Sequence, residues 1–495
     1  MLSDNRIVIG KGEKEAFILP NMANRHGLIC GATGTGKTVT LKVMAESFSD
    51  MGVPVFLADV KGDLGGCVKR GERTAAIDKR LSAVGYDPDK FEYKSFPVRF
   101  WDVYGEGGHP VRTTVSEMGA SLLSRLLGLT DVQTGVLTIA FRVADDKGWL
   151  LTDLKDIRSM VAYVTDHAAE LLNQYGNISK QSAGAIQRAL LQLEDAGGTL
   201  FFGEPDIKLS DWMQTDENGR GYINILHCAK LFQSPLLYST FMLWLLAELF
   251  EELPEVGDPE KPKLVFFFDE AHLLFNNARP MLTEKVEQVV KLIRSKGVGV
   301  YFITQQPSDI PNPVLAQLGN RVQHALRAYT PLEQRAIKAA AQSFRANPNF
   351  DTEQTITDLG TGEALISFLD EKGRPSVVER ATILPPQSAM GTIDDERRKA
   401  EIQADDLYGV YEQAVENVSA YEIINEVNEL EEEEKRKAEE EKEKEKEKEK
   451  EKTASKKKTQ SAVGKVASST MNTIGREIGK SLSRGLLGTL KKWIK

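Results

Sequence analysis

Short apolar runs alternate with longer helical patterns along residues 1–385. Within each run, aliphatic and aromatic residues follow one another with little polar alternation, which is typical of strands buried on both faces. Such strands form parallel sheets that helices cover on either side. We therefore predict an α/β fold with a mostly parallel sheet flanked by helices. The predicted strands are residues 27–30, 55–58, 222–226, 264–268, 298–304, 322–328 and 364–368.

Residues 115–194 depart from this alternation because their pattern is helical. They hold no phosphate-binding motif, so we predict a helical insertion that packs on the α/β domain or covers a site as a lid. The pair Pro385-Pro386 punctuates the end of the domain, which we place at residues 1–386.

Charge dominates the sequence that follows the predicted domain. Residues 431–452 hold 12 Glu and 9 Lys or Arg with a single Ala. Such a segment forms either a solvated helix stabilised by Glu–Lys pairs or a disordered spacer. We therefore expect a charged helical or disordered linker over residues 387–452, within an extended helical C-terminal tail.

The last predicted segment, residues 453–495, is basic, with 10 Lys or Arg against one Glu. Apolar residues recur at three- and four-residue steps from Ala467 to Trp493, which predicts a basic amphipathic helix. Such a helix can lie on an anionic membrane, dock in a partner's groove or fold back on the protein itself. Glycines along it weaken a free helix.

A glycine-rich motif links the strand at 27–30 to a helical pattern, and it fits the P-loop consensus G-x-x-x-x-G-K-[ST]. Its glycines let backbone N–H groups point at phosphate oxygens, and the helix N-terminus adds a favourable dipole. Lys37 is expected to contact the β- and γ-phosphates, and the Thr38 hydroxyl to coordinate Mg²⁺. The predicted ATP-binding residues are Gly31, Ala32, Thr33, Gly34, Thr35, Gly36, Lys37 and Thr38.

Two carboxylates, Asp269 and Glu270, follow the apolar run at 264–268. Ligands of open α/β sheets bind at the carboxyl ends of the strands. We expect Asp269 to join the Mg²⁺ shell and Glu270 to accept a proton from the attacking water. Together with the P-loop, the pair predicts hydrolysis of the β–γ phosphate bond of ATP.

A third polar group, Gln305, follows the run at 298–304. Its amide can contact both the γ-phosphate and the lytic water. Gln306 is the neighbouring alternative, and a simple strand-end turn before Pro307 is the non-catalytic interpretation.

Six segments in this order resemble the HerA-like branch of the HerA–FtsK superfamily of ring ATPases, and most of all its stand-alone bacterial YjgR-type members. They are GATGTGKT, LADVKGDL, LVFFFDEAHLLF, KLIRSKGVGVYFITQQPSDIP, LGNRV and LGTGEAL. The resemblance implies a RecA/FtsK-like P-loop fold, and it assigns Lys37, Thr38, Asp269, Glu270 and Gln305 to the family's catalytic positions.

The resemblance also places the family's arginine finger at Arg294, between the acids and the sensor strand, with Arg321 and Arg327 as competing candidates. A finger acts on ATP bound by the next subunit, so the implied assembly is a homo-hexameric ring. The implied track is double-stranded DNA. HerA proteins proper carry a β-barrel before the P-loop strand, whereas residues 1–26 offer only a short hairpin in RIVIG and AFILP. Contacts made through that barrel are therefore not implied.

Two weaker signals lie beside the motifs. Asp59 can orient Mg²⁺-bound water or cap a turn before Gly62. His272 can couple the acids to the sheet or sit as an ordinary helix histidine.

Composition narrows the function without naming it. The net charge of −9 excludes a general polycation, so DNA binding requires a local basic lining. Three scattered cysteines, with neither a CxxC pair nor an N-terminal signal pattern, favour the cytoplasm, with peripheral membrane attachment through the tail as an option. We weigh two functions, a DNA-translocating or unwinding ring motor and an ATP-driven scaffold or remodelling switch acting on a protein or membrane.

Overall fold

The computed structural model describes residues 1–275 and 280–459. In these residues, thirteen strands form one sheet. The strands are β1 (Leu2–Ser3), β2 (Arg6–Lys11), β3 (Glu15–Ile18), β4 (Gly27–Cys30), β5 (Val55–Asp59), β6 (Val98–Asp102), β7 (His109–Pro110), β8 (Ile223–His227), β9 (Leu264–Phe268), β10 (Val298–Thr304), β11 (Asn320–Gln323), β12 (Glu363–Ser367) and β13 (Glu379–Ile383).

The middle of the sheet is parallel. Its strands lie in the order β11-β4-β10-β9-β5-β8-β6-β7, and each neighbouring pair runs in the same direction. An antiparallel extension, β12-β13-β2-β1, continues from β11, and β3 pairs with β2 as the expected hairpin. The prediction of a mostly parallel sheet is confirmed.

Helices cover both faces of this sheet. The helices of the described residues, of which α16 extends into a second unit, are α1 (Lys37–Asp50), α2 (Ala75–Ala83), α3 (Val115–Leu127), α4 (Asp131–Lys147), α5 (Leu154–Asp166), α6 (Ala168–Tyr175), α7 (Lys180–Leu193), α8 (Thr199–Phe201), α9 (Pro235–Glu252), α10 (His272–Phe275), α11 (Pro280–Leu292), α12 (Asn312–Leu315), α13 (Pro331–Gln342), α14 (Thr352–Asp358), α15 (Asp395–Ala404) and α16 (Ala420–Thr459).

Successive residues of the central strands pack alternately into two separate hydrophobic cores, one on each face of the sheet. Phe266 and Phe268 of β9 belong to one core with the insertion helices and α9, whereas Val265 and Phe267 belong to the other core with α1. Both faces are therefore buried, which explains why β9 reads as an unbroken apolar run. The predicted insertion corresponds to α3–α7, which begin at Val115 and end at Leu193.

Strand ends differ from the sequence prediction where the chain turns toward a neighbouring loop. The run predicted at 322–328 is a strand only to Gln323, because the backbone beyond it leaves the sheet and Ala325 accepts a hydrogen bond from Ala32. The strand β6 was not predicted, because Arg99 and Asp102 interrupt its apolar pattern.

The first compact unit runs from Met1 to Ile424, beyond the boundary predicted at 386. Polar contacts made by the added residues explain the difference. The backbone N–H groups of Gln387 and Ser388 donate to the buried Glu46 carboxylate at 2.7 and 3.2 Å. Asp405 accepts a 3.1 Å hydrogen bond from Arg99, whose side chain is fully buried. The predicted linker therefore begins with a segment that completes the folded body.

The second unit begins at Asn425, and as far as residue 459 it consists of the continuing helix α16. Through residue 448, its charged side chains are mostly exposed, and pairs such as Glu431–Lys435 and Glu433–Lys437 lie four residues apart at 3.5 and 3.6 Å. The basic amphipathic helix predicted over 453–495 lies outside the described residues after 459. Within the described parts of the chain, no helix combines the length and apolarity needed to cross a bilayer.

Candidate nucleotide site

The polar segments singled out in the sequence meet at one edge of the parallel sheet. Strands β4, β10, β9 and β5 are neighbours, and their registers place Cys30 beside Thr304 and Phe268 beside Ala58. Loops that leave the carboxyl ends of these strands therefore start side by side. This edge is where open α/β sheets bind ligands.

The P-loop occupies the end of β4. Gly31, Gly34 and Gly36 have φ values of 155°, 77° and 116°, which L-residues with side chains rarely adopt. Gly36 caps α1 without a side-chain hydrogen bond, so the amides of the first turn are available to a phosphate. Thr33 and Gly34 are exposed at the tip, while Ala32 and Thr38 are half-buried.

Backbone hydrogen bonds hold this loop on three sides. Gly31 donates to the Thr304 carbonyl at 3.3 Å, and Ala32 donates to the Ala325 carbonyl at 2.8 Å. The Thr35 carbonyl accepts a 2.9 Å hydrogen bond from Gly362, within the LGTGEAL segment. The loop is thus anchored to β10, β11 and the chain entering β12 before any ligand arrives.

Lys37 folds back over the loop. Its ammonium donates to the carbonyls of Gly31 at 2.7 Å and Ala32 at 3.2 Å. Burial lowers the pKa of this ammonium, and the nearby Glu270 and Asp269 charges oppose that effect. The cation therefore rests on weak neutral acceptors, which an anionic phosphate can replace.

Asp269 is a buried acid at the end of β9, 9% exposed. Burial raises its pKa to about 7, with Lys61 opposing the shift and Glu270 adding to it. A carboxylate whose charge is so poorly compensated suits a hard divalent cation, which binds oxygen donors. The residues present thus fit Mg²⁺, with Thr38 and Asp269 as the protein groups that would hold it.

Glu270 has a backbone conformation unusual for its residue type, with φ of 47°. Its Oε1 lies 2.6 Å from the Lys61 ammonium, and its Oε2 accepts a 3.5 Å hydrogen bond from the Gln305 amide. The Nδ1 of His272 lies 3.3 Å from the same Oε2 without hydrogen-bond alignment. Burial disfavours the charge, but Lys61 outweighs it and holds the pKa of Glu270 below its usual range.

Gln305 and Gln306 have different surroundings. Gln305 is exposed and reaches Glu270, whereas the backbone N–H of Gln306 donates to Asp309 at 2.9 Å to start a short 3₁₀ turn. The Gln306 side chain accepts a 3.4 Å hydrogen bond from Ser308 in the same turn. Of the two amides, the Gln305 side chain is therefore the one beside the acids.

Sequence reasoning missed Lys61, which lies in the quoted segment LADVKGDL. It also left two roles open for Asp59, and the structure places this carboxylate in the turn. Asp59 accepts hydrogen bonds from the N–H groups of Gly62 at 2.7 Å and Leu64 at 3.1 Å. The position of Lys61 follows from the parallel pairing of β5 with β9, which brings the residues after Asp59 next to Glu270. The two segments are far apart in the sequence, so the motif alone did not indicate this contact.

A second layer behind the P-loop was also missed. The His324 ring lies between the Thr40 hydroxyl, 2.9 Å from Nε2, and the Glu363 carbonyl, 2.9 Å from Nδ1. Burial lowers the pKa of His324 to about 4, so the ring is neutral at pH 7. Arg80 donates to the carbonyls of Gly362 and Thr361, both at 3.1 Å. These contacts link α1 and α2 to the LGTGEAL segment.

Arg294 lies at the opposite edge of the sheet, four residues before β10 begins. Its guanidinium donates to Asp258 at 2.7 Å, and its side chain is 37% exposed. The seven residues of β10 span roughly 23 Å at about 3.3 Å per residue. Arg294 is thus separated from the P-loop of its own chain.

The competing arginines are occupied within their own chain. Arg321 donates to the carbonyls of Leu318 and Leu315, both at 3.0 Å. Arg327 donates to the carbonyls of Thr357 and Leu359. Both guanidiniums hold backbone together, in contrast to the exposed ion pair of Arg294.

Sequence comparisons relate most of this chain to proteins already known. A family model described as helicase HerA-like C-terminal matches residues 4–493. The DNA double-strand break repair helicase HerA of Sulfurisphaera tokodaii is 20% identical over 378 residues, which cover 74% of this chain and 67% of that protein. HerA of Saccharolobus solfataricus is 21% identical over 366 residues, covering 72% of this chain and 64% of the relative. The chain thus spans about two thirds of the length of these relatives.

Among solved structures, the bacterial conjugative coupling protein TrwBdeltaN70 aligns with a TM-score of 0.49 and 15% sequence identity, covering 78% of this chain and 92% of that chain. Because the family model matches nearly the whole sequence, the resemblance predicted from the motifs is confirmed, and the chain belongs to the helicase HerA-like C-terminal family.

Proposed function

We propose that this protein binds ATP with Mg²⁺ and hydrolyses the β–γ phosphate bond. One observation carries the proposal: Glu270 lies at the sheet edge that holds the P-loop, between a cation and the amide of Gln305. A carboxylate placed beside a phosphate-binding loop has the position that a general base requires. The family membership supports the same reaction.

The residues of the site have separate roles in this reaction. The amides of residues 31–38 and the ammonium of Lys37 bind the phosphates. Thr38 and Asp269 would hold Mg²⁺, which neutralises phosphate charge when bound. Glu270 accepts a proton from water as the water oxygen bonds to the γ-phosphorus, and the bond to the β–γ bridging oxygen breaks with its electrons going to ADP. Gln305 orients that water.

The position of Arg294 supports a ring. An exposed arginine at the edge of the sheet opposite the P-loop cannot serve its own site, but a neighbouring subunit packed head to tail can receive it. A finger supplied in this way neutralises charge as the phosphate leaves. A homo-hexamer is the assembly we propose, because closed rings satisfy such heterologous contacts.

Double-stranded DNA is the proposed track, along which the ring translocates or which it unwinds. The support comes from the HerA relatives, which are named as DNA double-strand break repair helicases. The test is the ATPase rate with and without double-stranded DNA at low and moderate salt, with Lys37→Ala as the inactive control. Stimulation that weakens with salt supports the motor, since phosphate contacts are salt-sensitive. An unchanged rate at both salt concentrations contradicts it.

The second candidate is an ATP-driven scaffold or remodelling switch in the cytoplasm or at a membrane surface. The observation that favours it is the charged helix α16, whose side chains are mostly exposed over residues 425–448 and whose sequence continues into the basic residues predicted to form an amphipathic helix. Vesicle flotation of the full chain against a chain ending at Ile424 distinguishes it. Flotation lost on truncation, with an ATPase rate insensitive to DNA, supports the switch.

A further inference from the structure

Lys61 stands out among the charged groups of the nucleotide site because no sequence motif assigned it a role. We propose that Lys61 is a second nucleotide-binding lysine, besides Lys37. Its ammonium pairs with Glu270 in the nucleotide-free protein and moves to the γ-phosphate when ATP binds. The proposal rests on the proposed function and deepens it. Lys61 is then the residue by which the site distinguishes ATP from ADP.

The turn that carries Lys61 has a backbone held by hydrogen bonds. Asp59, itself 2% exposed, fixes the turn by accepting the N–H groups of Gly62 and Leu64. Gly62 has φ of 72°, a conformation that few other residues adopt without strain. The backbone around Lys61 is therefore held in one conformation, while its side chain remains 44% exposed and free to change partners.

The register of the sheet brings this turn to the catalytic acids. Ala58 of β5 lies beside Phe268 of β9, so Lys61 and Glu270 follow neighbouring strand ends. Their charged atoms are 2.6 Å apart. Although partial burial opposes it, contact with Glu270 and the charge of Asp269 raise the pKa of Lys61, which remains a full cation.

The two lysines of the site differ in what they contact. Lys37 rests on two neutral carbonyls, whereas Lys61 pairs with the carboxylate that is expected to accept the proton. While that pair holds, Oε1 of Glu270 is occupied, and Oε2 faces Gln305 and His272. Glu270 is thus engaged through both oxygens.

A γ-phosphate competes with Glu270 for the ammonium of Lys61. It brings a multiply charged acceptor to the loop next to Lys61, and ammonium–phosphate contacts are among the strong charge-assisted hydrogen bonds. Transfer of Lys61 to the phosphate frees Oε1 of Glu270 for water at the moment when substrate is present. ADP lacks that phosphate, so it leaves the Lys61–Glu270 pair intact.

The test measures dissociation constants of a fluorescent non-hydrolysable ATP analogue and fluorescent ADP, both with Mg²⁺, by anisotropy. We expect Lys61→Gln to weaken binding of the ATP analogue about tenfold and that of ADP less than about twofold, the size of one lost charged contact. Lys61→Arg keeps the charge and is expected to keep most of the preference. Lys69→Gln is the matched control, because Lys69 is 42% exposed and pairs with Asp394 at 3.7 Å outside the site.

Equal weakening for both nucleotides, or no weakening for either, overturns the proposal. So does a loss of preference in Lys61→Arg as large as that in Lys61→Gln. These results differ from failure of the proposed function, in which the wild-type protein binds neither nucleotide and releases no phosphate.

Discussion

Charged residues near the two ends of strand β10 differ in their burial and in the contacts that they make. At the carboxyl end, Gln305 donates a hydrogen bond to Glu270, which forms a partly buried ion pair with Lys61. At the amino end, Arg294 forms an ion pair with Asp258, whose side chain is 63% exposed. Exposed pairs of this kind contribute little to stability.

The difference has a functional meaning. At the carboxyl edge, the left-handed backbone of Glu270 and the poorly compensated charge of Asp269 are unfavourable for folding. At the amino edge, Arg294 is 37% exposed and its ion pair with Asp258 can be exchanged for another partner. We infer that one chain carries the two complementary halves of a composite site, at opposite edges of the sheet.

Replacement of Lys37 is expected to have the largest effect, because it removes the cation that lies on the P-loop. Lys37→Ala should weaken ATP binding at least tenfold and lower turnover by more than about a thousandfold. Fluorescent nucleotide binding and phosphate release measure the two effects. Lys69→Ala should leave both unchanged, and a Lys37→Ala protein with near-normal turnover would show that the carboxyl edge is not the site.

Arg294 tests the opposite edge. Arg294→Ala should lower turnover by about a thousandfold while leaving ATP binding within about twofold, because a finger acts on the transition state. Mixing it with Lys37→Ala subunits should restore activity, since the mixed ring contains interfaces with an intact P-loop facing an intact arginine. The control is Arg397→Ala, which breaks a surface pair with Glu401. Mixtures that co-assemble without recovering activity would show that Arg294 does not act between subunits.

Truncation tests what holds the sheet between these edges together. A chain ending at residue 386 loses Asp405 and leaves Arg99 buried without its carboxylate partner. It also leaves Glu46 of α1 without the two amides that bind it. We expect the free energy of unfolding to fall by about 3–5 kcal/mol in urea titrations, whereas truncation after Ile424 should change it little. Equal stability of the two truncated forms would restore the boundary at 386.

The smallest effect concerns two buried histidines, one at each edge. Burial lowers the pKa of both His324 and His26 to about 4, below the unfolded value of 6.5. Protons therefore bind the unfolded chain more tightly, and stability is expected to fall as the pH drops from about 6.5 to 4, by up to about 3 kcal/mol for each histidine. His324→Gln and His26→Asn should each reduce this slope.

Nucleotide binding should separate the two variants. His324 supports α1 through Thr40, whereas His26 accepts a hydrogen bond from Val300 at the other edge. Only His324→Gln should weaken ATP binding. Equal weakening by both variants would mean that the two edges are not independent.

Local patterns in the sequence were sufficient for the central part of the fold. The apolar runs predicted the buried strands because each of β4, β9 and β10 must cover two faces. The P-loop and the acids carry their own local signatures. Features set by contacts between distant residues were harder to predict. Lys61 depends on the register of β5 against β9, and the packing of residues 387–424 depends on partners such as Arg99 that are remote in sequence.

Charge patterns were the least informative part of the sequence. Residues 395–404 and 425–448 are similarly charged, yet the first group belongs to the folded body and the second is a solvated helix. The first group leads directly into Asp405 and Glu412, which are the carboxylate partners of the buried Arg99 and His109 side chains. These pairings are visible only in three dimensions.

Glutamate 270 provides the most direct test of the central claim. Glu270→Gln keeps the shape of the side chain and removes its ability to accept a proton. Phosphate release should be measured for the wild-type protein and Glu270→Gln at nucleotide concentrations where fluorescent ATP binding shows both sites to be full. The account predicts equal binding and a rate at least about a hundredfold lower in the variant. Wild-type turnover by Glu270→Gln would contradict it.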